Sequence, residues 1–291
     1  LGSATASAGS VPPPSVSAIQ SFQPDLFTGR ATTAIPIAVP PGRKGMQPSL
    51  ALTYSSSARN SWVGVGWSFD VGSIERSTKH GVPNYDESDT FTFLFQGIAS
   101  ELVHSGGSTY RAKDEGAFLW FEFKEVSGWE VRDKSGTRYH FGTAPGSRLE
   151  APGKTFRWCL DDVIDTNGNT LTVTYTKDQG QVYLATIHYT GHEPTRLDPS
   201  NRIELTWEGR DDVETSYRSG FPVTTAKRLA VIKAEVKVDG QWQAARRYEL
   251  RYTPSARTQR SLLTSVTQIG ADGTTTLPPI TFAYTQEAAK Y

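Results

Sequence analysis

The sequence predicts an all-β chain of long antiparallel, meandering sheets built from successive hairpins. From Phe22 onward, short runs rich in β-branched and aromatic residues alternate with Gly, Asn, Asp and Pro. Within those runs apolar and polar residues alternate with the period of two that a one-faced strand requires. No window of about 12 residues sustains the i, i+3, i+4, i+7 apolar spacing of a helix, and 26 glycines and 17 prolines interrupt nearly every stretch that begins one. Consecutive hairpins, each with a polar face, favour antiparallel over parallel sheet, which would need crossover helices.

Along the chain, residues 1–21 are mostly Gly, Ala, Ser, Thr and Pro, including Pro12, Pro13 and Pro14. They carry too little apolar surface to offset the entropy of ordering and are expected to form a flexible lead-in to one β-rich domain over residues 22–291. In the first half, Phe91–Phe95 and residues 117–123, 129–131 and 139–141 read as aromatic strands separated by Gly106-Gly107, Gly128 and Gly136. Asn167-Gly168 marks a hairpin between residues 156–164 and the alternating run Leu171-Thr172-Val173-Thr174-Tyr175. Asp239-Gly240 repeats the device between residues 231–238 and Tyr248-Glu249-Leu250-Arg251-Tyr252. Ile203, Leu205 and Trp207 alternate with Glu204, Thr206 and Glu208, and Ile280, Phe282 and Tyr284 with Thr281 and Ala283.

Bulk properties narrow the function. The 291 residues suffice for one large or two smaller domains. Thirty basic and thirty acidic side chains give no net charge, so neither nucleic acid nor an anionic membrane surface is an expected partner. No stretch approaches the roughly 20 apolar residues of a membrane-spanning helix. Cys159 stands alone, which excludes an intrachain disulfide. The chain begins at Leu1 without a basic and apolar leader, which reads as a piece cut from a longer protein.

Candidate chemistry is thin. Asp161, Asp162, Asp165, Asn167 and Asn169 crowd oxygen ligands near one turn, and Asp165-x-Asn167-x-Asn169 mimics the opening of a calcium loop. Thr170 and Thr176 stand where that loop needs glycine and a bidentate glutamate, so a plain turn is expected. His188 and His192 have zinc-like spacing without further ligands. Arg43-Lys44 between Gly42 and Gly45 lacks the continuation of a phosphate loop, and Gly64-Val65-Gly66-Trp67 lacks the third glycine of a dinucleotide site. Glu204, Glu208 and Asp211 supply carboxylates of the kind glycoside cleavage uses. Strand parity instead puts Glu204 and Glu208 on a solvated face opposite Ile203, Leu205 and Trp207. The seven Trp and twelve Tyr suit a sugar platform less well than a core. No catalytic residue, cofactor-binding residue or metal ligand is therefore assigned, and no cofactor is expected.

A family resemblance adds to this reading. Phe22-Gln23-Pro24-Asp25-Leu26-Phe27-Thr28-Gly29-Arg30-Ala31-Thr32 with Ile35-Pro36-Ile37 resembles the opening of the SpvB-type N-terminal domain of virulence-plasmid toxins and Tc-toxin B components. Residues 40–56, from Pro40-Pro41-Gly42-Arg43-Lys44-Gly45-Met46 to Ser55-Ser56, followed by Gly64-Val65-Gly66-Trp67-Ser68, are similar almost position by position. The likeness continues through residues 136–142, Trp158-x-Leu160, Asp165-x-Asn167-Gly168-Asn169, Trp207-Glu208-Gly209-Arg210-Asp211-Asp212 and residues 277–284, and so spans about Phe22 to Tyr284. Asn167-Gly168-Asn169, Tyr175 and Gly180 also resemble the spacing of one YD-type repeat, without a second clear copy.

The resemblance implies a non-catalytic part of a curved, shell-like β wall in a large secreted or cell-surface-associated bacterial toxin, one that encapsulates or presents a toxic C-terminal segment. Expected partners are downstream repeat or propeller regions of the same protein and other toxin-complex subunits, with self-association through exposed sheet edges and no membrane insertion by this segment. In SpvB-type proteins the ADP-ribosylating activity lies in a separate C-terminal domain, and this chain has no Glu-x-Glu pair. The alternatives are a carbohydrate- or receptor-binding surface module and a glycoside-cleaving enzyme.

Overall fold

The computed structural model describes residues 23–24, 30–96, 98–114, 116 and 118–285. The expected lead-in lies outside these residues. Among the described residues the only helical element is a 3-10 turn at Pro145–Ser147, and the all-β expectation is borne out. In chain order the strands are β1 (Gln23–Pro24), β2 (Ala31–Ile37), β3 (Leu50–Ser55), β4 (Asn60–Ser61), β5 (Gly64–Val65), β6 (Trp67–Ser68), β7 (Ser73–Arg76), β8 (Phe91–Phe95), β9 (Ile98–Gly106), β10 (Thr109–Ala112) and β11 (Trp120–Lys124). Then follow β12 (Gly128–Arg132), β13 (Arg138–Phe141), β14 (Arg148–Ala151), β15 (Lys154–Ile164), β16 (Asn169–Asp178), β17 (Gln181–His192), β18 (Asn201–Ser216), β19 (Val223–Val238), β20 (Gln241–Pro254), β21 (Ser261–Gly270) and β22 (Ile280–Thr281).

Strands β7 to β13 pair each with the next, all antiparallel, and β15 pairs with both β7 and β13. Eight strands thus close into a barrel, a feature that the hairpin pattern alone did not reveal. Its interior is filled by rings, as expected of so small a barrel. Phe93 lies 5.0 Å from Phe121, Phe91 4.9 Å from Trp129 and Phe123 4.7 Å from Trp129 between centroids. Arg76 stands over Tyr85, Phe91 and Trp158 and is held by Asp89 at 2.6 Å.

Strand β15 belongs to two bodies at once. Its Arg157–Cys159 stretch pairs with β7, while Lys154–Trp158 pairs with β14 on the opposite edge. From Leu160 the β14 edge passes to β13, and Asp162 to Ile164 take β16 as their other neighbour. From β16 a meander runs without interruption to β22.

On this second sheet the alternation expected from the sequence is realised. Leu171, Val173, Ile187, Tyr189, Ile203, Leu205, Ile232 and Leu250 are buried. The opposite face carries the cross-strand pair Thr174–Thr186, with hydroxyls 2.7 Å apart, and the ion pairs Lys233–Glu235 at 2.6 Å and Arg247–Glu249 at 2.9 Å. The apolar face is covered by a small sheet in the order β1-β2-β3-β6, whose Ile35, Ile37, Leu50 and Leu52 join the same core cluster as the barrel and meander side chains. Tyr248 Oη accepts the Ala38 N–H at 2.9 Å, while Tyr189 Oη donates to the Pro40 carbonyl at 2.8 Å and Asn201 Nδ2 to that of Pro41 at 3.1 Å. The Pro40-Pro41 corner is therefore pinned through its carbonyls, the only hydrogen-bonding backbone groups prolines possess.

Barrel packing yields a prediction. Phe93→Ala removes a ring 1% exposed at the barrel centre and is expected to cost about 3–5 kcal/mol. Val103→Ala, at a side chain 48% exposed on the same barrel, should cost under about 0.5 kcal/mol. Urea denaturation followed by tryptophan fluorescence checks both.

Candidate functional site

The most heavily bonded polar site lies in β18. Ladder pairing between β18 and β19 is interrupted between Gly209 and Glu214, and Arg210 and Asp212 turn inward there, their side chains 1% and 8% exposed. Arg210 Nε donates to Asp212 Oδ1 at 2.8 Å and Nη2 to Oδ2 at 2.5 Å. Arg210 also donates to the Ser61 carbonyl at 2.7 Å and to Asn60 Oδ1 at 3.0 Å. Asp212 accepts from Ser261 N and Oγ at 2.8 and 2.7 Å and from Asn60 Nδ2 at 3.2 Å. One ion pair therefore joins β4, β18 and β21. Burial pushes the Asp212 carboxyl up, but hydrogen bonds from Arg210 and Ser261 outweigh it and hold the group well below the usual carboxylate range. A carboxylate so fully bonded is a structural clamp and not a proton carrier. Parity reading missed it because β18 advances five residues from Gly209 to Glu214 while β19 advances two from Lys227 to Thr225, and the alternation of faces breaks within that stretch.

The oxygen-rich run around Asn167 does not converge. Asp161 is buried and accepts from Thr143 Oγ1 at 3.0 Å, Ala144 N at 2.8 Å and Ser147 Oγ at 2.6 Å. Asp162 lies 3.1 Å from His140 Nδ1. Asp165 Oδ1 accepts the N–H groups of Asn167 and Asn169 at 2.8 and 2.9 Å, and Oδ2 accepts Asn169 Nδ2 at 2.7 Å. The turn itself departs from the expected Asn-Gly pair. Gly168 alone has a left-handed φ, +79°, and its N–H closes a four-residue turn onto the Asp165 carbonyl at 3.0 Å. Asp133 builds the same turn at Asp133-Lys134-Ser135-Gly136-Thr137, accepting from Ser135 N at 2.8 Å and Thr137 N at 3.0 Å. By contrast Asp239 and Gly240 both take positive φ, 50° and 79°, the two-residue turn that the sequence predicts. In both aspartate turns burial raises the carboxyl and the turn's own hydrogen bonds outweigh it, leaving Asp165 and Asp133 below their ordinary value.

The remaining candidates are dispersed. His188 faces Thr186 and the Trp242 ring, while His192 contacts Thr195 Oγ1 at 2.7 Å and the Asn167 carbonyl at 2.9 Å. Among the described residues no group of three or more His, Cys, Asp or Glu side chains is placed to hold a metal ion. Arg43 and Lys44 sit at a hairpin tip closed by an Arg43–Met46 bridge. Glu208 accepts from Arg228 Nε at 2.7 Å, and Glu204 lies 3.8 Å from Lys233 Nζ. Asp211 is exposed. Gly64-Val65-Gly66-Trp67 is a packing device. Gly64 has φ +93° and a Cβ there would meet the Ser261 carbonyl oxygen at 2.6 Å, so the loop reaches β21 only with glycine. Trp67 then stacks 4.7 Å from Phe282 and donates to Tyr284 Oη at 3.0 Å. Trp67, Trp129 and Trp158 are all buried, which places them in the core and not on a sugar platform.

Comparison with known proteins supplies context. The family model described as Salmonella virulence plasmid 65kDa B protein matches residues 25–193. The mono(ADP-ribosyl)transferase SpvB of Salmonella choleraesuis (strain SC-B67) is 26% identical over 181 residues, covering 52% of this chain and 30% of that protein, and SpvB of Salmonella dublin gives the same values. The match therefore spans less than a third of those relatives. The N-terminal domain of effector protein SpvB from Salmonella typhimurium strain LT2 superposes with a TM-score of 0.68 at 20% identity, over 81% of this chain and 98% of that one. The TcdB2-TccC3 crystal structure gives 0.77 at 23% identity over 92% of this chain and 16% of that chain. The Photorhabdus luminescens Tc holotoxin pore gives 0.75 at 22% over 91% and 16%. These likenesses establish a shared fold.

The carboxylates generate a second prediction. Arg210→Ala leaves Asp212 buried without its partner and should cost about 3–5 kcal/mol, whereas Arg210→Met with Asp212→Leu should cost much less. Asp212, Asp165 and Asp133 titrate lower when folded than when unfolded. Their stabilisation is complete above the ordinary carboxylate value of 3.8 and is lost as pH falls through the folded values. Melting temperature measured from pH 7 to pH 2 should stay level with respect to these groups down to about pH 5 and then drop, with a shallower drop in Asp165→Asn.

Proposed function

The chain belongs to the Salmonella virulence plasmid 65kDa B protein family, and from that membership we propose that it is a non-catalytic structural domain of a larger bacterial toxin-type protein. In this reading it supplies part of a β-walled shell that encloses or presents a toxic C-terminal segment, in a secreted parent that works with other toxin-complex subunits. The observation that carries the reading is the sheet from β15 to β22, one face sealed by an apolar core shared with the barrel and the other laced with ion pairs. Such a wall resists deformation because its rigidity comes from backbone hydrogen bonds and packed rings, and it needs no reacting group. Its edge strands are short, two residues in β22 and four in β14, and the self-association expected of exposed sheet edges would run through them. The domain boundary belongs to the same proposal: residues 1–21 as a lead-in, 22–291 as wall.

Two experiments on the parent protein test this. Limited proteolysis with sequencing of the fragments should leave the C-terminal segment uncut while the shell is folded; early cleavage inside that segment in the native protein contradicts the proposal. Glu204→Gln and Glu208→Gln should leave the parent's toxicity unchanged, since both carboxylates are ion-paired on the outer face. A loss of more than about tenfold with unaltered folding would instead favour the glycoside-cleaving reading.

A further inference from the structure

A cavity of about 260 Å³ opens where β17 and β18 part company. The two strands pair only from Thr186 to Tyr189, so Gln181 on one stands away from Glu214 and Ser216 on the other, and β4, β14, β15 and β19 wall the gap. One side is apolar, formed by the buried Leu149, Phe156 and Val223. The other presents four guanidinium groups, Arg59, Arg157, Arg210 and Arg218, with Glu214 as the one acid in the lining.

The guanidinium donors of this lining are committed unequally. Arg157 and Arg218 share a single carboxylate, that of Glu75, at 2.8 and 2.5 Å. Arg210 is matched by Asp212. Arg59 is exposed, and neither it nor Glu214 makes a side-chain hydrogen bond or ion pair among the described residues. Arg218 commits one terminal nitrogen to Glu75 and lays its guanidinium 5.3 Å from the centre of the Phe156 ring, leaving its other N–H groups free to donate.

We propose that this cavity receives a carboxylate on a short aliphatic stem, an aspartate- or glutamate-like group either free or carried by a polypeptide. A planar guanidinium fork matches a carboxylate through two parallel hydrogen bonds. The Leu149, Phe156 and Val223 wall accepts the stem and reduces solvent screening of the charge. The volume lies just below the roughly 300 Å³ at which ordinary small-molecule pockets begin, and so suits a side-chain-sized occupant.

Calorimetric titration of this chain with sodium butyrate and with the peptide acetyl-Gly-Glu-Gly-amide, against sodium chloride at equal ionic strength, tests the proposal. Arg59→Ala with Arg218→Ala is the diagnostic variant: both side chains are largely exposed and Glu75 keeps Arg157, so the fold persists, as an unchanged circular-dichroism spectrum and melting curve confirm. Saturable binding of at least one probe to the native chain, weakened about tenfold or more in the double variant, is the expected result. Tighter binding of the peptide than of butyrate assigns the carboxylate to a polypeptide, and the reverse assigns it to a free acid. Absence of saturable binding by both probes, or equal affinity in the double variant, overturns the proposal.

Discussion

Both edges of β15 are occupied along most of its length, and this constraint organises the rest of the molecule. A strand with β7 and β14 as neighbours in one half and β13 and β16 in the other cannot shift register without breaking the barrel and the sheet together. Its buried side chains follow the same division. Trp158 belongs to the ring stack inside the barrel, while Phe156 and Cys159 pack with Val182 and Val223 beneath the meander. The thiol is sealed in that second cluster, where burial pushes it to about 12, so it is held as a small apolar group.

Once β15 is placed, the meander's apolar face demands a cover, and the N-terminal third of the chain supplies it. The small sheet lies across that face and the Gly64-to-Trp67 loop reaches β21, where Phe282 and Tyr284 close over the indole. The beginning and end of the domain are thereby tied to each other. The Arg210–Asp212 pair adds a polar rivet at the same junction, since its partners Asn60, Ser61 and Ser261 come from segments far apart in sequence. Many residues by which the chain resembles its family turn out to serve this closure: Pro40 and Pro41, Gly64, Trp67, and Arg210 with Asp212. Their chemistry is that of packing and hydrogen-bond satisfaction.

Period-two alternation made the meander legible, because one buried and one solvated face leave a trace in every strand: Leu171 and Val173 against Thr172 and Thr174, Ile203 and Leu205 against Glu204. Turn chemistry located Asp239-Gly240 correctly. Barrel closure was not legible, because it depends on pairing between β15 and a strand more than 60 residues earlier in the chain, β7, Glu75 with Arg157 for example, and local pattern carries no record of such a partner. Bulges defeated parity in the same way: one irregularity in β18 turned Arg210 inward from a face that reads as solvated. At Asp165 the sequence offered calcium ligands, and the backbone took those oxygens first, an Asp-x-Asn-Gly turn being able to satisfy its own amides.

Native-state hydrogen exchange followed amide by amide tests most directly whether barrel and meander form one body through β15. Slow exchange should extend through the paired amides of β15, with barrel strands β8 and β12 and meander strands β17 and β19 sharing a common opening free energy. Barrel amides that exchange as a separate, much faster group, with β15 protected only along its β16 edge, would contradict the account.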